Sequence, residues 1–136
     1  MPPEGMDAGF PHDWLRHAQS DLALAQMRKT RRVLYEHLCF HAQQAAEKAI
    51  KAVLIVYGVR LPRTHDLAFL VAQLPPRVVV PLSFVDLPIL TKYAVQQRYP
   101  GESPALTPGH RRRAVGLAQE AVAWAATRIA HAAKGK

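Results

Sequence analysis

The chain has 136 residues, which fits one domain and leaves no room for a catalytic domain beside a regulatory one. A hydrophobic fraction of 49% excludes intrinsic disorder, and the single cysteine, Cys39, excludes an internal disulfide. No signal peptide and no apolar stretch of membrane-spanning length is recognisable, so we expect a cytoplasmic protein without membrane contact. The net charge of +8 favours an anionic partner, while 7% aromatic residues argue against a base-stacking platform.

Helical periodicity dominates the chain, which predicts an all-α fold of four to five helices in an up-and-down bundle. The first helix is expected over residues 13–29 and the second over 33–57, ended by Gly58. Thr64 is expected to cap a short third helix, the fourth is expected over 86–97, and Thr107 to begin the fifth. We expect one domain over residues 13–131, with flexible ends at 1–12 and 132–136.

Polar residues follow one edge of the second predicted helix, at His37, His41, Gln44, Lys48 and Lys51. Such an edge could hold a phosphate or supply a general base, because imidazole titrates near neutral pH. The alternative is an ordinary solvated helix face. No third ligand accompanies the two histidines at a suitable spacing, so no metal site is expected.

Two apolar residues, Phe40 and Leu54, project from the polar side of the same predicted helix. Something must cover them, and a symmetric homodimer interface is the preferred explanation. The alternative is that the first helix, or the connector at residues 77–80, folds over them.

Basic residues are grouped at residues 28–32, at Arg60 and Arg63, and at residues 111–113. The last group opens a helix, where guanidinium groups and free backbone N–H groups together could form an anion site. Exposed arginines that only maintain solubility are the alternative.

Three motifs stand in order along the chain. The first is FHAQQAAEKAIKA at residues 40–52, followed by Gly58; the second is THDL at 64–67; and the third is RYP at 98–100. Together they resemble the HEPN family, whose name stands for higher eukaryotes and prokaryotes nucleotide-binding. The resemblance covers most of the chain.

The resemblance implies a homodimeric helical bundle, often paired with a minimal nucleotidyltransferase in systems of toxin-antitoxin type. Many members of the family are metal-independent RNases with an Arg followed, after four to six residues, by a His. Here Arg98 lacks a histidine at that spacing, since the next one is His110. Arg60 and His65 do have that spacing, but Pro62 between them interrupts the helix on which the pair normally stands.

We therefore expect a non-catalytic module that binds a nucleotide or RNA, acts with a nucleotidyltransferase and needs no cofactor. The alternatives are a metal-independent endoribonuclease, with His65 or His41 as general base and Arg98 or Arg60 stabilising phosphate charge, and a purely structural dimeric scaffold. The residues expected at the binding site are His41, Gln44, Lys48, Lys51, His65, Asp66, Arg98 and Tyr99.

Overall fold

The computed structural model describes residues 9–96 and 105–134, and it confirms the all-α helical bundle. Within these residues there is no strand, and no helix is long and apolar enough to cross a membrane. The elements in chain order are α1 (Pro11–Ala25), α2 (Tyr35–Val56), α3 (Leu67–Ala72), a 3-10 helix (Leu82–Leu90), α4 (Tyr93–Gln96) and α5 (Pro108–Lys134).

Helix α2 has more buried residues than any other described helix. It packs most extensively on α1 and next on α5. Small side chains let these helices approach closely, because an alanine adds only one carbon to the interface. Five alanines of α2 are completely buried: Ala42, Ala45, Ala46, Ala49 and Ala52. The helix therefore lies at the centre of the bundle, with its polar residues left along one edge.

Gly58 ends α2 with a left-handed residue at φ +73°. The N–H of Val59 donates to the carbonyl of Leu54 at 2.9 Å, and the N–H of Gly58 donates to Ile55 at 3.0 Å. This is the Schellman arrangement, in which a glycine satisfies helix carbonyls that would otherwise lack partners. The prediction that Gly58 ends the second helix is therefore confirmed.

The region between α3 and α5 differs from the prediction of one α-helix over residues 86–97. A 3-10 helix occupies Leu82–Leu90, and α4 adds only four residues. The buried side chains of the 3-10 helix, Phe84, Leu87 and Leu90, recur every third residue. A 3-10 helix has three residues per turn, so these side chains lie on one face. Pro88 has no N–H to donate to an α-helical hydrogen bond, which also disfavours an α-helix here.

Helix ends also differ in detail from the predictions. The first helix begins at Pro11 and ends at Ala25, four residues before its predicted end. Asp66, not Thr64, caps α3 by accepting a hydrogen bond from the N–H of Phe69 at 3.2 Å. Thr107 does cap α5, accepting from the N–H of His110 at 3.2 Å.

Arg111 fastens the start of α5 to the end of α1. Its guanidinium donates to the carbonyl of Ala25 through two nitrogens, at 3.1 and 2.9 Å, and to the carbonyl of Met27 at 2.7 Å. Carbonyls at a helix end lack intrahelical partners, so these bonds satisfy acceptors that α1 leaves open. Arg111 thus connects the C-terminal end of α1 to the N-terminal end of α5.

Replacing Gly58 by alanine should lower the free energy of unfolding by about 1 kcal/mol, because a side chain disfavours the left-handed backbone. The matched control is Gly116→Ala within α5. A Cβ at either glycine meets no atom within 4 Å, so conformation alone decides the sign. Gly116→Ala should raise stability by about 0.5–1 kcal/mol. Urea unfolding measures both, and a stabilising Gly58→Ala would contradict the assignment.

Candidate functional site

The first part of the site is a carboxylate of α1 that binds an imidazole and an ammonium group of α2. Oδ1 of Asp21 lies 2.9 Å from Nδ1 of His41, and Oδ2 lies 2.6 Å from Nζ of Lys48. Asp21 is only 8% exposed, since it lies on the same side of α1 as the buried Ala18 and Ala25. A carboxylate in such a position needs partners, and α2 supplies both.

The second part is a carboxylate on α2 itself. Oε1 of Glu47 lies 2.8 Å from Nδ1 of His65, which precedes α3, and it also accepts from Nε2 of Gln43 at 2.8 Å. Oε2 accepts from Nζ of Lys51 at 2.9 Å. Residues four apart on a helix are neighbours, so α2 places Gln43, Glu47 and Lys51 in one row. Gln44 then donates to Gln43 at 2.7 Å and extends the row outward.

The two parts share one design, in which a buried carboxylate binds one imidazole through Nδ1 and one ammonium through Nζ. An ionised carboxylate only accepts hydrogen bonds, so each Nδ1 carries the donated hydrogen, and in the neutral ring Nε2 is then the acceptor. The side chains of His41 and His65 are 31% and 55% exposed. Each imidazole is therefore oriented by protein on one side and open to solvent on the other. We call the two rings, their carboxylates Asp21 and Glu47, and the paired Lys48 and Lys51 the imidazole site.

Such an arrangement can accept a hydrogen bond or a proton at Nε2 from a bound hydroxyl or amino group. A carboxylate behind the ring fixes its tautomer and orientation. The charges within the site balance, because two carboxylates face two ammonium groups. Electrostatic attraction for a phosphate is consequently not the main property of this face.

Five of the residues predicted for the site belong to these two hydrogen-bonded groups. His41 and Lys48 lie around Asp21, and Gln44, Lys51 and His65 belong to the group around Glu47. Two of them have structural partners: Lys51 is nearly buried between Glu47 and the ring of Trp14, with Nζ 5.9 Å from the ring centroid, and Lys48 is paired with Asp21. The predicted Asp66 is engaged as the cap of α3.

Arg98 and Tyr99 lie outside the described residues. Their placement relative to the two imidazoles is therefore left as a prediction from the sequence.

Leu54 does not need a second subunit to cover it. Its side chain is 0% exposed, enclosed by the hydrophobic core of its own chain. A helical wheel puts it on the polar side, but α2 is central and has neighbours beyond α1 and α5, including α3, α4 and the 3-10 helix. Phe40 is half-buried, with its ring edge-on to that of His41 at a centroid distance of 5.4 Å.

Asp21, Gln43 and Glu47 are site residues that the sequence analysis does not select. Asp21 has a visible signal, since it lies three residues after Ala18 and four before Ala25, on a stripe that is otherwise apolar. A carboxylate on a core stripe indicates a buried polar partnership. Gln43 has no comparable signal, because its role depends on which carboxylate lies one turn away.

Cys39 lies apart from both imidazoles, in the core beside Tyr93. Burial raises the pKa of its thiol to about 11, with the nearby Glu36 adding to the effect. Burial likewise raises the pKa of Tyr93, to which the charge of Cys39 also contributes. Cys39 is thus a protonated core residue, and among the described residues no group of three metal-ligating side chains occurs.

Replacing Glu47 by glutamine should lower the free energy of unfolding by about 3 kcal/mol, because Lys51 would be left buried without a counter-charge. Combining Glu47→Gln with Lys51→Met should recover part of the loss, since the unpaired ammonium is removed with it. The control is Asp13→Asn, which breaks an exposed pair with Arg16 and should cost under about 1 kcal/mol. Equal losses for Glu47→Gln and Asp13→Asn in urea unfolding would contradict the buried pair.

The thiol of Cys39 should react with a disulfide reagent at pH 8 far more slowly in the folded protein than in denaturant. Its folded pKa is above that of an unfolded cysteine, so the folded state holds the proton more tightly. Stability should therefore fall as pH rises from about 9 towards 11, and Cys39→Ala should weaken this fall. Rapid reaction of the native protein would contradict the buried position.

Comparison with known proteins identifies the family of this chain. The family model described as the HEPN domain matches residues 11–129. A crystal structure of TT1696 from Thermus thermophilus is similar, with 34% identity and a TM-score of 0.76, covering 87% of this chain and 97% of that one. A search of curated proteins gave no match.

A second solved structure, of ST0689, is described as an archaeal HEPN homologue. It shares 26% identity and a TM-score of 0.67, over 89% of this chain and 98% of that one. The family match spans α1 to most of α5, and therefore includes Asp21, His41, Glu47 and His65. The chain belongs to the HEPN domain family.

Proposed function

We propose that this protein is a nucleotide- or RNA-binding module whose ligand contacts the imidazoles of His41 and His65. One observation carries the proposal: two solvent-accessible imidazoles are each oriented by a buried carboxylate that also binds a lysine. Orienting a side chain in advance lowers the entropy lost when a ligand binds it. A merely solvated helix face has no need of such support.

The chemistry of the site suits the sugar or base of a nucleotide. With Nδ1 donating to a carboxylate, Nε2 of each ring accepts hydrogen bonds, as from a ribose hydroxyl or a base amino group. Gln44 adds an amide beside them, held through Gln43. The family name, nucleotide-binding, is consistent with this chemistry.

Partners form a further part of the proposal. The resemblance of this chain to HEPN systems suggests a minimal nucleotidyltransferase as the second component, in an arrangement of toxin-antitoxin type. A symmetric homodimer would bury the half-buried Phe40 and bring two copies of His41 close together, since the rings of Phe40 and His41 already touch edge to edge.

A metal-independent endoribonuclease is the second candidate function. The pairing of Glu47 with His65 favours it, because a carboxylate behind an imidazole is the arrangement that supports a general base. His65 would accept a proton from the attacking 2′-hydroxyl, and Arg98 or Arg60 is the candidate for stabilising charge on the phosphate.

The test replaces His41 or His65 by asparagine. An asparagine amide can still donate to the carboxylate in place of Nδ1, but it has nothing in place of Nε2. Each variant should therefore fold normally and bind labelled RNA or ATP about tenfold more weakly, which is the loss of roughly 1.4 kcal/mol. His17→Ala on the exposed side of α1 is the control and should bind normally.

If both asparagine variants bind RNA and ATP as tightly as the wild-type protein does, the proposed site is refuted. The same samples, incubated with RNA in EDTA, decide between the two functions. Cleavage that is lost in His65→Asn would establish the endoribonuclease, and cleavage that persists in both variants would remove these histidines from its mechanism.

A further inference from the structure

The end of the bundle where α1 finishes and where α2 and α5 begin carries a dense group of basic residues. We call it the cationic end. Its members are Arg28, Lys29, Arg31, Arg32, Arg111 and Arg112. The first four lie between α1 and α2, and the last two in the first turns of α5. The hydrogen bonds of Arg111 to Ala25 and Met27 bring these two segments together, although they are more than 80 positions apart.

The positive charges of the cationic end are not balanced. Among the ion pairs that the described residues form, none involves these six side chains, while the adjacent Arg113 lies 3.7 Å from Asp86. Arg111 donates to neutral carbonyls, and Lys29 donates to the carbonyl of Thr30 with its Nζ 4.9 Å from the ring centroid of Tyr35. In residues 26–37 and 105–119 the sequence has one acidic residue, Glu36.

The backbone adds to this charge. The N-termini of α2 and α5 lie at the same end, and each carries partial positive charge on its unpaired N–H groups. The opposite dipole, at the end of α1, is offset by the bonds from Arg111. Crowded like charges disfavour the folded state, and a polyanion that neutralises them would remove this penalty.

The cationic end is continuous with the imidazole site. His37 and His41 are four residues apart on α2, so they share one side of the helix. His41 is six residues from Tyr35, the first residue of α2, which corresponds to about 9 Å along the axis. The imidazole site is itself neutral in charge, whereas the adjoining end is strongly positive. The two surfaces therefore offer different and complementary contacts along one path.

We propose that the cationic end binds the phosphate backbone of single-stranded RNA, whose ribose or base then reaches the imidazole site. This inference rests on the proposed function and adds the surface that supplies electrostatic attraction. Exposed arginines with free guanidinium groups bind phosphate oxygens without reading sequence. The acceptor atoms of His41 and His65 favour RNA over DNA, because only RNA has the 2′-hydroxyl.

The experiment compares two double variants with the same loss of charge, from +8 to +6. Arg31→Gln/Arg32→Gln alters the cationic end. Arg77→Gln/Arg128→Gln, the matched control, alters the opposite end: Arg77 stacks on Tyr57, just after the end of α2, and Arg128 lies near the end of α5. The 22 residues of α2 separate the two ends by about 33 Å. Binding of a labelled single-stranded RNA is followed by fluorescence anisotropy at a series of salt concentrations.

Arg31→Gln/Arg32→Gln should weaken RNA binding roughly tenfold and lower the slope of log K against log salt by about 1.4, the value for two lost phosphate contacts. The control should retain the wild-type slope. Equal effects in both variants would overturn the proposal, since net charge alone would then be responsible. A wild-type protein without salt-dependent RNA binding would also overturn it.

Two competitors identify the kind of polyanion. Unlabelled RNA should displace the probe more effectively than DNA of the same sequence, and polyglutamate should displace it poorly. Effective displacement by polyglutamate would overturn the proposal in favour of an acidic protein. His41→Asn and His65→Asn should lower affinity while leaving the salt slope unchanged. If they have no effect but the arginine variant does, the imidazole site fails and the cationic end stands.

Discussion

A carboxylate inside a helical bundle must be surrounded by donors, and in this protein that requirement determines the arrangement of the polar side chains around α2. Glu47 is 4% exposed, and its two oxygens take donors from α2 and from the segment before α3. Leaving such a charge without partners would cost several kcal/mol, so the segment that carries His65 is held against α2. Asp21 connects α1 to α2 in the same way.

The contacts of Asp21 depend on the close approach of α1 and α2. The alanines on α2 bring the helix axes near enough for a short aspartate side chain to reach both His41 and Lys48. Core packing and site geometry are therefore not independent, since a larger residue between α1 and α2 would also move the imidazole of His41 away from the carboxylate that orients it.

The candidate site and the cationic end differ in how they would engage a nucleic acid. Around Glu47 and Asp21 the charges cancel, and what remains is two oriented hydrogen-bond acceptors. At the cationic end positive charges accumulate, and most of them are on exposed arginines. Contacts of the first kind choose a ligand, while contacts of the second kind attract it from a distance.

The sequence allows local features to be predicted better than contacts between distant segments. Gly58 and Thr107 act through their own neighbours, and both ends occur where the pattern places them. The 3-10 helix is not predicted, because apolar residues spaced three apart over a short segment also fit one face of an α-helix. The assignment of Leu54 to a dimer interface is wrong, because a helical wheel shows the direction of each side chain around α2 but not which other helices pack against it. The partnership of Asp21 with α2 depends on the register between two helices, which periodicity within one helix does not contain.

The attachment of α5 has a consequence for the order in which the protein can be completed. Buried residues of α5, from Ala114 to Ile129, cover one side of α2, and Arg111 fills the carbonyls left open by α1. A ribosome that adds about 5–20 residues per second needs a few seconds for a helix of this length. During that time the central helix of the nascent chain has one apolar side exposed, and such a surface favours aggregation until α5 covers it.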